Sequence, residues 1–153
     1  MPVEIERKFL VKGDIWKQGQ PVRICQCYLN RNKERTVRVR LAGENATLNV
    51  KGPNRGATRN EYEYPIPVAD AVELLKMCNG PVLEKNRYTV TCDGLKWEID
   101  EFLSENEGLI VAEVKLSSED QTFHCSEWID RKVTSDPKYY NSNLCSHPFC
   151  NWH

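Results

Sequence analysis

The chain has 153 residues, enough for one domain with its own core and too few for two. With 40% apolar and 28% charged residues it reads as folded rather than disordered, and a net charge of −1 gives no bulk attraction to nucleic acid or an anionic membrane. There is no apolar run near the ~20 residues of a membrane span, no secretory signal in Met-Pro-Val-Glu, and an odd number of cysteines; a cytoplasmic protein with mostly reduced thiols is expected, without nucleic-acid or membrane partners.

In chain order, Val3 to Val11 reads as a strand broken at Lys12-Gly13-Asp14, where Asp14 caps a short helix through Gln18. Strands follow over Val22–Leu29, Thr36–Ala42 and Ala46–Lys51, the last two joined by a tight turn, and then over Thr58–Ile66. Pro67 opens an amphipathic helix over Val68–Cys78, with Val72, Leu75 and Met77 inward, stopped at Asn79-Gly80. Further strands are expected over Val82–Cys92, Leu95–Leu103 and Leu109–Leu116, with Asp93-Gly94 as a two-residue hairpin turn. Ser117 or Ser118 caps a helix to about Lys132, and Asp136-Pro137 starts a last helix through Leu144. The sum is an α+β protein: an eight-stranded antiparallel β-barrel with helices packed outside and a C-terminal helix. Residues 1–144 form one domain, and 145–153 form an irregular tail. That tail holds two Cys and two His, a composition zinc accepts, but their spacing fits no common zinc motif.

The period-2 pattern carries the functional information. Glu4, Glu6 and Lys8 share one strand face. The habit recurs at Arg38 and Arg40, Lys51, Glu61 and Glu63, Lys85 and Arg87, Glu98 and Asp100, then Glu113 and Lys115. Such faces either all turn to water, as charge runs usually do, or converge inside a closed barrel. Like charges at i, i+2 repel, so stability alone does not favour these doublets. Carboxylate pairs suit hard divalent cations, and Lys and Arg pairs suit phosphate oxygens. One cavity holding both would take a metal polyphosphate.

These doublets resemble the CYTH domain family, also called triphosphate tunnel metalloenzymes. The match begins at the ExExK strand, Glu4-Ile5-Glu6-Arg7-Lys8, and runs in order through Arg38 and Arg40, Lys51, Glu61 and Glu63, Lys85 and Arg87, and Glu98-Ile99-Asp100. It continues through Gly108 to Val114 and Trp128-Ile129-Asp130 to Tyr139-Tyr140-Asn141-Ser142-Asn143-Leu144, covering residue 2 to about 144. The resemblance implies a triphosphate tunnel using Mg²⁺ or Mn²⁺. It implies metal ligation by Glu4, Glu6, Asp100 and Glu113, with Glu61, Glu63 and Glu98 close by, and triphosphate binding by Lys8, Arg38, Arg40, Lys51, Lys85 and Arg87. The catalytic set is then Glu4, Glu6, Lys8, Arg38, Arg40, Asp100 and Glu113. Hydrolysis of inorganic triphosphate is the leading expectation. A class IV-type adenylate cyclase acting on ATP and a non-catalytic polyphosphate- or nucleotide-binding tunnel are the alternatives, and a homodimer is left open.

One departure stands out: Lys115 occupies a position where related members often carry a second Glu, which bears on a second metal ion if it points inward. Tyr28 shares a face with Ile24 and Gln26 and reads either as core or as a substrate contact. Arg7 falls on the opposite strand face. Arg55 and Arg59 flank a loop and are expected to be solvated.

Overall fold

The computed structural model of the chain describes residues 3–78, 80, 82–124 and 127–152. Its strands are β1 (Val3–Val11), β2 (Val22–Asn30), β3 (Thr36–Ala42), β4 (Asn45–Lys51), β5 (Thr58–Ile66), β6 (Leu83–Cys92), β7 (Leu95–Phe102), β8 (Ile110–Lys115) and β9 (Ile129–Lys132); its helices are α1 (Val68–Leu75) and α2 (Asn141–Ser146). The strands run in the order β5-β4-β3-β2-β6-β7-β8-β1, and β1 closes the sheet on β5 through Val3↔Asn60, Glu4↔Arg59 and Ile5↔Thr58. All pairings are antiparallel, so this is a closed eight-stranded barrel without free edges. The ninth strand, β9, continues along the edge of β1 beyond β5, with Val133 N donating to Lys8 O.

Local chemistry sets the hairpins. Asp93 and Gly94 both have positive φ, 52° and 76°, the conformation a two-residue turn needs to match the strand twist, and Asp and Gly tolerate it. Outside the barrel, two apolar clusters bury the outward faces. One gathers Phe9, Trp16, Val90, Trp97, Ile99, Val114 and Trp128. The other holds Cys27, Val39, Ala46 and Ala71 under α1. A third cluster lies at one end of the barrel. There the inward positions turn apolar at Leu83, Phe102 and Val111 and pack against Tyr139, Leu144 and Cys145 of the C-terminal segment.

Four local expectations are corrected. The stretch after β1 is a turn rather than a helix: Lys17 N reaches Asp14 O, Trp16 donates its indole N–H to Gly13 O at 2.8 Å, and its ring is buried against Tyr88. Burying one large ring under the sheet prevails over the Asp14 cap. The second correction is the helix expected over 118–132. Ser117 N and Oγ both donate to Gln121 Oε1, which closes the chain locally. Phe123 then packs on Phe9 and Trp97, Trp128 on Trp97, and 129–132 join β1 as a strand. Residues 125 and 126 of that span lie outside the described residues.

The third concerns α1, which ends at Leu75 and turns Ala71, Leu74, Leu75 and Cys78 inward, at i, i+3, i+4, i+7 spacing. Leu75 faces inward as expected, but Val72 and Met77 are 43% and 70% exposed, because the sheet packs against the face that carries positions 71, 74, 75 and 78. Of the expected stop, Asn79 lies outside the described residues. Finally, the last helix is split. Asp136 accepts from Lys138 N over a short 3₁₀ turn, Tyr140 is extended (ψ 135°), and α2 starts only at Asn141. The tail continues as a second 3₁₀ turn over Phe149–Asn151, with Phe149 and Trp152 edge to face.

Two of the thiols expected to be reduced are paired. Cys78 is joined to Cys27, with a Cα–Cα separation of 5.8 Å and a sequence separation of 51. The link ties the end of α1 to β2. A loop of that length should stabilise the folded chain by roughly 4 kcal/mol over the reduced form. The oxidised protein is therefore expected to melt about 10 °C above the reduced one. Calorimetry with and without reductant reads the difference, and coincident melts would show that the link does not form in solution.

Candidate active site

Barrel closure decides the choice left open by the charge pattern. The doublets converge. Glu4, Glu6 and Lys8 from β1, Arg38 and Arg40 from β3, Lys51 from β4, Glu61 and Glu63 from β5, Arg87 from β6, Glu98 from β7 and Glu113 from β8 all line one cavity of about 870 Å³, open mouth included. The strand register arranges them in rows. Lys8, Glu113 and Glu98 stand side by side across β1, β8 and β7, and Tyr28, Arg38, Asn49 and Glu63 across β2 to β5.

Two walls of unlike character result. On one side, carboxylates and bases are paired: Lys8 lies 3.6 Å from Glu113, and Lys51 lies 3.0 Å from Glu4 and 3.4 Å from Glu61. Arg87 holds Asp100 with two bonds of 2.8 and 2.9 Å and reaches Glu98 at 3.4 Å. On the other side the guanidinium groups have no acidic partner among the described residues. Arg40 Nε donates to Gln26 Oε1 at 2.9 Å, and Arg38, 5% exposed, has an unpaired Nε. Burial, with Arg38 and Arg87 nearby, pulls the Arg40 pKa down to about 9, which still leaves it charged at neutral pH. Like-charged bases side by side on one strand face, withdrawn from water and without counter-ions, are costly unless an anion joins them. With the triphosphate that the resemblance implies as substrate, Arg38→Ala should therefore raise the KM by one to two orders of magnitude, a loss of roughly 1.4–3 kcal/mol, without lowering the melting temperature. Steady-state kinetics beside a thermal melt tests this, and an unchanged KM removes Arg38 from the site.

Lys85 and Asp100 do not line the cavity. They form a 2.8 Å ion pair below its floor, 0% and 1% exposed, and Lys85 also donates to Asn141 Oδ1 at 3.3 Å. Burial opposes the charge of Asp100, but Arg87 and Lys85 prevail and hold its carboxyl down to about 2. Arg7 points away, under Phe123, donating to the carbonyl of Glu119. Tyr28 does reach the lining, and so does Lys115.

Several lining residues escaped the sequence reading. Arg59 is not solvated as expected; it lines the cavity with Nη2 3.4 Å from Thr36 Oγ1. The signal was present, since 59, 61 and 63 share a strand parity. The same parity brings in Thr36 with Arg38, and Asn49 with Lys51, where Asn49 donates to Glu63 at 2.6 Å. Arg55 stays in the loop, its backbone paired with Thr58. Thr134, Tyr140, Asn141 and Ser142 close the lining from the C-terminal segment, and no periodicity could have placed them.

Do these residues fit a divalent cation? Among the described residues no three His, Cys, Asp or Glu side chains converge as a ready-made cage. His153 of the tail lies outside the described residues. The donor chemistry nonetheless suits a hard ion. Burial, with Glu113 and Glu4 beside it, pushes the Glu6 carboxyl up to about 8. Glu113, bonded to Glu6, is held well below the carboxylate range despite its burial by Lys8, Arg87 and Lys85. A carboxyl and a carboxylate sharing a proton is the arrangement in which a cation can replace that proton.

The model of the CYTH domain family matches residues 2–143. An inorganic triphosphatase of Acetivibrio thermocellus is 47% identical over 99% of each chain. An inorganic triphosphatase of Nitrosomonas europaea is 34% identical over 92% of this chain and 95% of its own. A solved inorganic triphosphatase superposes with a TM-score of 0.68 at 32% identity, over 95% of each chain.

Proposed function

The chain belongs to the CYTH domain family, and from that premise we propose that it hydrolyses inorganic triphosphate with the help of Mg²⁺ or Mn²⁺. The observation that carries the reading is the pairing of walls in one cavity: buried Arg38 and half-buried Arg40, without acidic partners among the described residues, share it with a carboxylate set built on Glu4, Glu6 and Glu113. The likeness at 47% identity to an inorganic triphosphatase supports the choice of substrate.

Arg38 and Arg40 grip phosphoryl oxygens, and Lys8, Lys51 and Arg87 add positive charge where the leaving diphosphate gathers negative charge. Glu4, Glu6 and Glu113 would hold the divalent ion, with Glu61, Glu63 and Glu98 around them. When bound, that ion supplies a Lewis acid for a phosphoryl oxygen and lowers the pKa of water. Asp100 and Lys85 act from beneath, since Asp100 fixes the plane of the Arg87 guanidinium. Tyr28, whose phenol pKa is raised by burial, stays protonated and able to donate.

Phosphate release from inorganic triphosphate and from ATP, each with Mg²⁺, with Mn²⁺ and with chelator, tests the proposal. Release from triphosphate in either metal, lost on chelation and at least about 100-fold slower from ATP, is expected. Cyclic AMP from ATP would favour the cyclase instead, but Tyr28 and Tyr140 are the only aromatic lining residues described, so little in the cavity would hold a purine. Silence on both substrates, with triphosphate still raising the melting temperature, would leave a binding tunnel. The proposal includes a cytoplasmic location; among the described residues no helix is long and apolar enough to cross a membrane. Light scattering reads whether the chain pairs with itself.

A further inference from the structure

Strand β8 sends two side chains of opposite sign into the cavity. Glu113 is buried and sits beside Lys8. Lys115, two residues on, is exposed at the cavity wall and stands directly across from Glu6 in the β1–β8 register. The other bases on the carboxylate wall, Lys8, Lys51 and Arg87, each pair with a carboxylate. Among the described residues Lys115 has no such partner within salt-bridge distance. Partial burial works against its charge, but Glu98, Glu4, Glu61 and Glu6 together outweigh that and favour the ammonium. A lysine head on a flexible four-carbon stem can move among those oxygens without being tied to one of them.

A hard dication needs several oxygen ligands, and each further dication needs its own set. Glu4, Glu6 and Glu113 can serve one ion. Glu61, Glu63 and Glu98 are the lining carboxylates left to start a second set, and the charge of Lys115 already acts on Glu61 and Glu98. We propose that Lys115 is a built-in monovalent cation that limits the carboxylate wall to a single divalent ion. The proposal rests on the metal-dependent reading above and deepens it, because it makes ion number a property of one side chain.

Mn²⁺ binding to the full chain, read by the electron paramagnetic resonance of the free ion, tests it without reference to activity. The wild type and Lys115→Arg should each bind one Mn²⁺. Lys115→Met should bind two over the same concentration range, because removing a positive charge from the wall of a cation site strengthens dication binding by one to two orders of magnitude. Lys115 is exposed, so both variants should melt with the wild type. A single Mn²⁺ in Lys115→Met, or two in the wild type or in Lys115→Arg, would overturn the inference alone. No Mn²⁺ in the wild type would overturn the metal-dependent reading and the inference with it.

Discussion

Glu6→Gln should lose at least about 100-fold in triphosphate turnover while melting at or above the wild-type temperature. The two effects part because the same environment that makes Glu6 useful makes it costly. Its carboxyl is 9% exposed, and burial together with Glu113 and Glu4 pushes its pKa up to about 8. A neutral amide of the same shape removes that electrostatic cost, so stability holds or rises. The amide cannot give two anionic oxygens to a divalent ion, and losing one properly placed electrostatic contact typically costs 10²–10³ in rate. Rates at saturating metal beside a thermal melt decide the matter. Wild-type turnover in the variant would sink the assignment of Glu6, and a large fall in melting temperature would mean that its role is structural. Glu4→Gln should show the same loss of rate with a smaller gain in stability, because it also abandons Lys51.

Asp100→Ala should have the larger effect on stability, about 3–5 kcal/mol. Its carboxylate is 1% exposed and answers two buried cations at once, Lys85 at 2.8 Å and Arg87 through two bonds. Removing it leaves the Arg87 charge buried, with Glu98 at 3.4 Å as its carboxylate partner among the described residues, and strands the amine of Lys85, whose pKa burial already pulls down to about 7. Adding Lys85→Met should recover part of the loss, since it removes a buried amine that has lost its partner. Asp100 is held at about 2 against an ordinary 3.8, so its stabilisation is fully present above the ordinary value and disappears as pH falls through about 2. The stability gap between wild type and Asp100→Asn should accordingly narrow between pH 4 and pH 2. Urea melts in chelator at several pH values measure both effects. If Asp100→Ala unfolds at the wild-type urea concentration, the buried network does not anchor β6 to β7.

The strands and their inward faces were legible because a period of two is written locally. Glu4, Glu6 and Lys8 on β1, or Arg38 and Arg40 on β3, need no knowledge of the partner strand to share a face. The turn at Asp93-Gly94 was legible for a similar reason, since positive φ at two successive positions restricts the residue types. The run 117–132 was misread because its residues tolerate helix, and only the apolar ground offered by Phe9 and Trp97 and the stretch of β1 that extends beyond β5 turned it into a packed loop and a strand. The inner face of α1 was misread likewise: its periodicity is real, but the phase is set by the sheet beneath it.

For the site, the sequence by itself determined which side chains share each strand face and that the doublets suit a metal polyphosphate. Only the tertiary structure decided that those faces converge, because convergence depends on the long-range pairing of β1 with β5, over fifty residues apart. It also placed Lys85 and Asp100 under the floor rather than in the lining, and brought Thr134, Tyr140 and Asn141 from the C-terminal segment to the cavity. Depth within a barrel and contact with a distant segment depend on shear and closure, quantities that no short window of sequence contains.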